Sequence, residues 1–134
     1  MVGVVVATHG RLAEELLRTA ETVVGPLEQV RAVSVDAAAP DMRRELEQAI
    51  RAMDTGGGVL LLTDLMGGSP TNLCLSFIAE RQIEVVTGVN LPMLLKLGGL
   101  RAAGKPVVAL ATELAEAGQK SIGHASHLLR RSLG

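Results

Sequence analysis

Aromatic residues are almost absent from this sequence: there is no Trp or Tyr and a single Phe, Phe77. Their scarcity removes the stacking platforms that single-stranded nucleic acids and many sugars use, and it leaves an aliphatic core. Cysteine is equally scarce. Cys74 stands alone, so no internal disulfide is expected and a reducing compartment, the cytoplasm, is. Neither sign of charge dominates, because 13 Lys and Arg face 14 Asp and Glu for a formal net charge of −1. The adjacent basic pairs are Arg43-Arg44 and Arg130-Arg131, which make no stripe able to neutralise a phosphate backbone, so nucleic acid is not an expected partner. Apolar stretches are broken by Gly, Pro or charge well short of the ~18 residues that span a bilayer, and no basic leader opens the chain. No membrane insertion and no targeting segment are expected.

What is present is the composition of a globular chain, with 48% apolar and 20% charged residues. Its 134 residues suit one domain, 1–134. Val2–Ala7 is a β-branched run without alternation, as a strand buried on both faces of a parallel sheet requires. Val59–Thr63 is a second such run, while Val30–Val35 alternates and reads as a strand nearer an edge. Ile83–Thr87 is a fourth strand.

Between the strands the period changes to that of helices. Leu12, Leu16, Leu17, Ala20, Val23 and Val24 form one stripe, ended by Gly25-Pro26. Met42, Leu46, Ala49, Ile50 and Met53 form another, after Pro40-Asp41. Ser69 reads as an N-cap and Pro70 as a first helical residue, in a helix that carries Leu73, Cys74, Phe77 and Ile78 inward. Further helices are expected from Leu91-Pro92 to about Ala103 and from Pro106 to about Lys120. Strands alternating with helices define a three-layer, doubly wound α/β fold with a mainly parallel sheet of order 2-1-3-4.

In such sheets ligands sit beyond the carboxyl ends of the strands where the order reverses, here between the first and third strands. His9 follows one and Asp64 the other. A neutral imidazole is a nucleophile near physiological pH, and a carboxylate on one ring nitrogen fixes the tautomer and exposes the other lone pair. His9 is therefore the candidate acceptor and Asp64 its orienting partner. Phosphoryl transfer suits the pair, since its loose transition state needs alignment and charge stabilisation more than a strong nucleophile. Thr8, Gly67, Gly68 and Ser69 are the candidate phosphate-binding residues, the glycines because backbone amides can then approach an anion at a helix start. No Gly-x-x-x-x-Gly-Lys-Ser/Thr loop is present, so a phosphoprotein is a better donor than a nucleotide. Each residue also has an ordinary reading: a solvated loop His, a turn Asp, a loop followed by a helix cap. Their shared place at the switch point favours the chemical one. His124 and His127 lack Cys or acidic neighbours, so no metal or other cofactor is expected. Cys74 falls on an apolar helix face and reads as packing; Arg11 is a loop cation, solvated or facing an acidic group of a partner.

Three segments resemble the mannose-type IIA component of the bacterial phosphoenolpyruvate-dependent sugar phosphotransferase system. They are Val4–Gly10, Gly58–Asn72 (GVLLLTDLMGGSPTN) and Thr87–Leu94. The resemblance implies that His9 accepts a phosphoryl group on Nε2 from the phosphocarrier HPr and passes it to a mannose-type IIB protein, with Asp64 holding Nδ1. It implies a homodimer that exchanges a C-terminal antiparallel strand, for which Ile122–Leu128 sits at the corresponding place. Better-known members carry an aromatic residue where this chain has Met66, beside the active loop, and many continue into a IIB domain. Here the acceptor is expected to be a separate protein, or the chain to act as a regulatory dimer that signals through the charge of phospho-His9. A small-ligand α/β module without a covalent step is a third reading. The sugar is not written in these residues, because its selection belongs to membrane components.

Overall fold

The computed structural model describes residues 1–36, 39–79 and 82–134. Its four strands are β1 (Gly3–His9), β2 (Val30–Val35), β3 (Val59–Thr63) and β4 (Ile83–Val86), all parallel in the order β2-β1-β3-β4. Helices α1 (Leu12–Val24), α2 (Met42–Met53), α3 (Ser69–Leu75), α4 (Leu91–Ala102) and α5 (Val107–Lys120) follow as the periodicity predicts, and α6 (Ala125–Leu133) closes the chain.

The two apolar cores follow from the two-residue period of a strand. Val4, Val6, Leu60 and Leu62 point to one face and pack with Ala13 and Ala20 of α1, Leu94 and Leu97 of α4, and Leu110 and Leu114 of α5. Val5, Ala7, Val59 and Leu61 point to the other and meet Leu46 and Ile50 of α2 with Cys74 and Phe77 of the α3 region. Because β1 and β3 are covered on both sides, they carry unbroken aliphatic runs. Edge strand β2 alternates instead, with Arg31 and Ser34 open to solvent.

Several expectations need correction. In α1 the inward residues are Ala13, Leu16 and Ala20, whereas Leu12, Val23 and Val24 are exposed. The face that meets the sheet therefore lies to one side of the larger apolar stripe. Ile78 is exposed, because α3 ends at Leu75 and its helical spacing no longer applies three residues later. The cap of α3 is Gly68, so Ser69 is the first helical residue and not the cap. The C-terminal antiparallel strand is not formed within this chain: Ala125–Leu133 is helical and buries none of its residues. Leu128-Leu129-Arg130-Arg131 are good helix formers, and within one chain that local preference prevails.

One close approach fixes how α2 meets the sheet. A Cβ on Gly3 would lie 2.1 Å from the Met53 carbonyl oxygen, so the end of α2 rests directly on the β1 backbone. Gly98, in exposed mid-helix, has open space around the same position. Chemical denaturation therefore distinguishes the two glycines: Gly3→Ala lowers stability by about 1–3 kcal/mol through overpacking, whereas Gly98→Ala raises it by about 0.5–1 kcal/mol through helix propensity.

Candidate functional site

The parallel register sets Ala7 beside Thr63, so the residues that follow, His9 and Asp64, leave adjacent strand ends together. Their side chains meet. Asp64 Oδ2 lies 2.9 Å from His9 Nδ1 and accepts the His9 backbone N–H at 3.1 Å. The imidazole is 51% exposed and the carboxylate 14%. The carboxylate thus grips the ring from the protein side and leaves the far edge to solvent.

Two opposed effects act on Asp64. Burial would raise its pKa, but hydrogen bonds from the His9 ring and the His9 amide more than offset this, and the net shift is downward. An ionised carboxylate has only acceptors, so Nδ1 carries the proton and, in the neutral ring, Nε2 holds the free lone pair. A depressed carboxyl pKa contributes stability that is fully present above the usual carboxylate range, near pH 4, and is lost as pH falls from there through the lowered native value. Oδ1 of the same carboxylate is buried with no hydrogen-bond partner among the described residues.

The loop from Asp64 to Gly68 wraps the ring. Gly68 lies against it so closely that a Cβ there would stand 2.9 Å from His9 Cε1 and 3.6 Å from Nε2. Gly67 turns the loop at a φ of +79°, a conformation that glycine adopts without strain. Its carbonyl accepts from Asn72 Nδ2 at 3.4 Å. Ser69 is exposed at the start of α3, on the rim shared with an open cavity of about 490 Å³ lined by Val35, Met42, Arg43, Asn72 and Leu73. Leu65 and Met66 project outward, 59% and 72% exposed.

Thr8 occupies a different position from the other three candidate phosphate residues. It is fully buried, and its hydroxyl accepts the Ala13 N–H at 2.7 Å while donating to the His9 carbonyl at 3.1 Å. It ties α1 to the end of β1. On the other side, Ser34 Oγ donates to the Gly10 carbonyl and secures the loop after His9 to β2. Arg11 is turned to Glu14, 3.4 Å away. His124 and His127 stack on each other with ring centroids 5.6 Å apart, and no group of metal-ligating side chains exists among the described residues. The Cys74 thiol is pushed up to about 12 by burial and serves packing.

Thr63 and Thr71 went unassigned in the sequence reading. Both are fully buried, their hydroxyls lie 2.6 Å apart, and Thr71 Oγ1 donates to the Leu65 carbonyl at 2.7 Å. The available signal was a polar residue closing a buried strand and another one helical turn into a helix.

The sequence profile described as "PTS system fructose IIA component" matches residues 3–116. The mannose-specific EIIAB component of Escherichia coli K12 is 34% identical over 127 residues, covering 90% of this chain and 39% of that protein. This chain thus spans about two-fifths of the length of that relative. The fructose-specific EIIA component of Bacillus subtilis is 32% identical over 104 residues, covering 75% of this chain and 71% of that protein. Among solved structures, the phosphotransferase system component EIIA from Streptococcus agalactiae superposes with a TM-score of 0.85 at 26% identity, covering 95% of this chain and 99% of that one. The mannose/sorbose specific IIA subunit from Enterococcus faecalis gives 0.75 at 30% identity, covering 91% and 92%. The chain that brings His9 and Asp64 together belongs to the mannose/fructose-type IIA family of the bacterial sugar phosphotransferase system.

Proposed function

We propose that this protein is a phosphocarrier that accepts a phosphoryl group on His9 Nε2 and passes it to a second protein. The observation that carries this reading is the single Asp64 oxygen that binds both Nδ1 and the amide of His9. The Nε2 lone pair attacks the phosphorus of an incoming phosphohistidine; the new N–P bond forms as the donor's N–P bond breaks, and the donor ring keeps that electron pair. Positive charge that develops on the His9 ring is balanced by the Asp64 carboxylate. The phosphoryl oxygens then face Gly68 and Ser69 at the start of α3, with Gly67 shaping the loop. Thr8 supports this site from beneath through the His9 carbonyl.

The donor is HPr and the acceptor a mannose-type IIB protein; the family supports both assignments, and the absence of a nucleotide-binding loop favours a protein donor. Exposed Leu65 and Met66 beside the ring give a protein partner an apolar contact. Work in the cytoplasm accords with the lone buried thiol, and among the described residues no helix is long and apolar enough to cross a membrane. A homodimer accords with Ile122, Leu128, Leu129 and Leu133, which stand exposed near the C-terminus.

Incubation with phosphoenolpyruvate, Enzyme I and HPr should add one acid-labile phosphoryl group, seen by intact mass, and His9→Ala should abolish it; label retained in the variant, or none in the wild type, defeats the reading. Asp64→Asn should keep the fold but slow transfer by at least about tenfold, since losing a carboxylate that orients a histidine costs about 10–100-fold at metal sites and about 10⁴-fold in the Ser-His-Asp triad. Stopped-flow or quench kinetics unchanged in that variant would remove its orienting role. Light scattering should report twice the chain mass, and a monomeric mass would contradict the dimer.

A further inference from the structure

The described residues bury three polar side chains, Thr8, Thr63 and Thr71, and all three adjoin the His9–Asp64 pair. Thr8 is accounted for by the start of α1. The other two form a short chain of hydroxyls whose direction can be worked out. A carbonyl cannot donate, so the bond from Thr71 Oγ1 to the Leu65 oxygen uses the one proton of Thr71. Thr63 must then supply the proton shared across the 2.6 Å between the two hydroxyls. The order is Thr63 to Thr71 to the Leu65 carbonyl.

We propose that Thr71, with Thr63 behind it, is a positioning residue for the His9 imidazole; its effect on transfer rests on the phosphocarrier reading, while its effect on the ring does not. The Leu65 carbonyl accepts twice, from Thr71 Oγ1 at 2.7 Å and from the Gly68 N–H at 3.2 Å. It lies between the two residues that hold the ring: Asp64 on Nδ1, and Gly68 against Cε1. Orienting this one peptide therefore sets the spacing of both sides of the grip. The side chains of Leu65 and Met66 face solvent and offer the loop little packing of its own. Hydrogen bonds from α3 and β3 must supply its rigidity. Take away the Thr71 hydroxyl, and the carbonyl keeps only the longer bond while the Thr63 hydroxyl is left buried without its acceptor. Asp64 and Gly68 are then free to drift apart, and the ring can turn or change tautomer.

The test uses the full chain with Thr71→Val, which preserves shape but removes the hydroxyl, and Thr71→Ser, which restores it. Nitrogen-15 NMR of the imidazole reads the ring directly. Wild type and Thr71→Ser should show a protonated Nδ1 in slow exchange, while Thr71→Val should broaden that signal or shift it toward the Nε2-protonated form. Transfer from phospho-HPr, counted per folded molecule, should fall about tenfold or more in Thr71→Val and stay within about threefold of wild type in Thr71→Ser, the scale of a lost orienting partner. A Thr71→Val protein with unchanged ring signal and rate, and only a lower melting temperature, overturns the proposal. If Thr71→Val does not fold, Thr63→Val removes the donor behind it and should weaken the same ring signal; an unchanged signal there overturns the proposal equally. Should wild type take up no phosphoryl group at all, the phosphocarrier reading fails, and the ring signal still decides the role of Thr71.

Discussion

A single carboxylate oxygen, Asp64 Oδ2, accepts from both the backbone and the ring of His9. One acceptor with two donors on the same residue fixes where that residue stands and which way its ring faces. The arrangement needs the ends of β1 and β3 to be side by side, and this follows from their parallel pairing with Ala7 opposite Thr63. Parallel pairing in turn demands helical crossovers and burial of both sheet faces. The aliphatic runs of β1 and β3 and the placing of one ring nitrogen are thus parts of one constraint.

The loop that carries Asp64 serves several ends within five residues. It delivers the carboxylate, turns through Gly67, lays Gly68 against the imidazole and starts α3. A side chain at Gly68 would displace the ring, and a looser turn would part it from the carboxylate. The fold holds this loop from behind, through buried threonine hydroxyls and the Asn72 amide, because its front has to stay open.

Much of this could be read in the sequence, for physical reasons that also explain the exceptions. Unbroken Val and Leu runs identified β1 and β3, since little but a doubly covered strand calls for them, and the order of strands and helices then put His9 near Asp64. The residues that differ from expectation all depend on facts beyond local pattern. Val23 and Val24 fit a helical stripe, yet the face of α1 buried against the sheet is that of Ala13 and Ala20. Ile78 kept the spacing of α3 after the helix itself had ended. Ser69 had the chemistry of a cap, but the chain enters the helix one residue sooner, at Gly68. Residues 122–128 resembled a strand by family likeness, and a strand is a property of a pair of segments; within one chain, 125–133 takes its local preference and is helical. The threonine pair lies inside the Gly58–Asn72 segment but has no period or spacing that gives it a role, because Thr63 and Thr71 become neighbours only when α3 folds back along β3.

In the role proposed for His9, a histidine that receives a group from one protein and yields it to another must be rigid without being enclosed. Enclosure would exclude both partners, and free rotation would make alignment a matter of chance at each encounter. This structure separates the two requirements by direction. Toward the interior, Asp64 and Gly68 confine Nδ1 and Cε1; toward solvent, the ring remains half-exposed beside the bare side chains of Leu65 and Met66. Those apolar side chains stand exposed on the same loop that orients the imidazole, so in the proposed role a partner that covers them meets a ring already aligned.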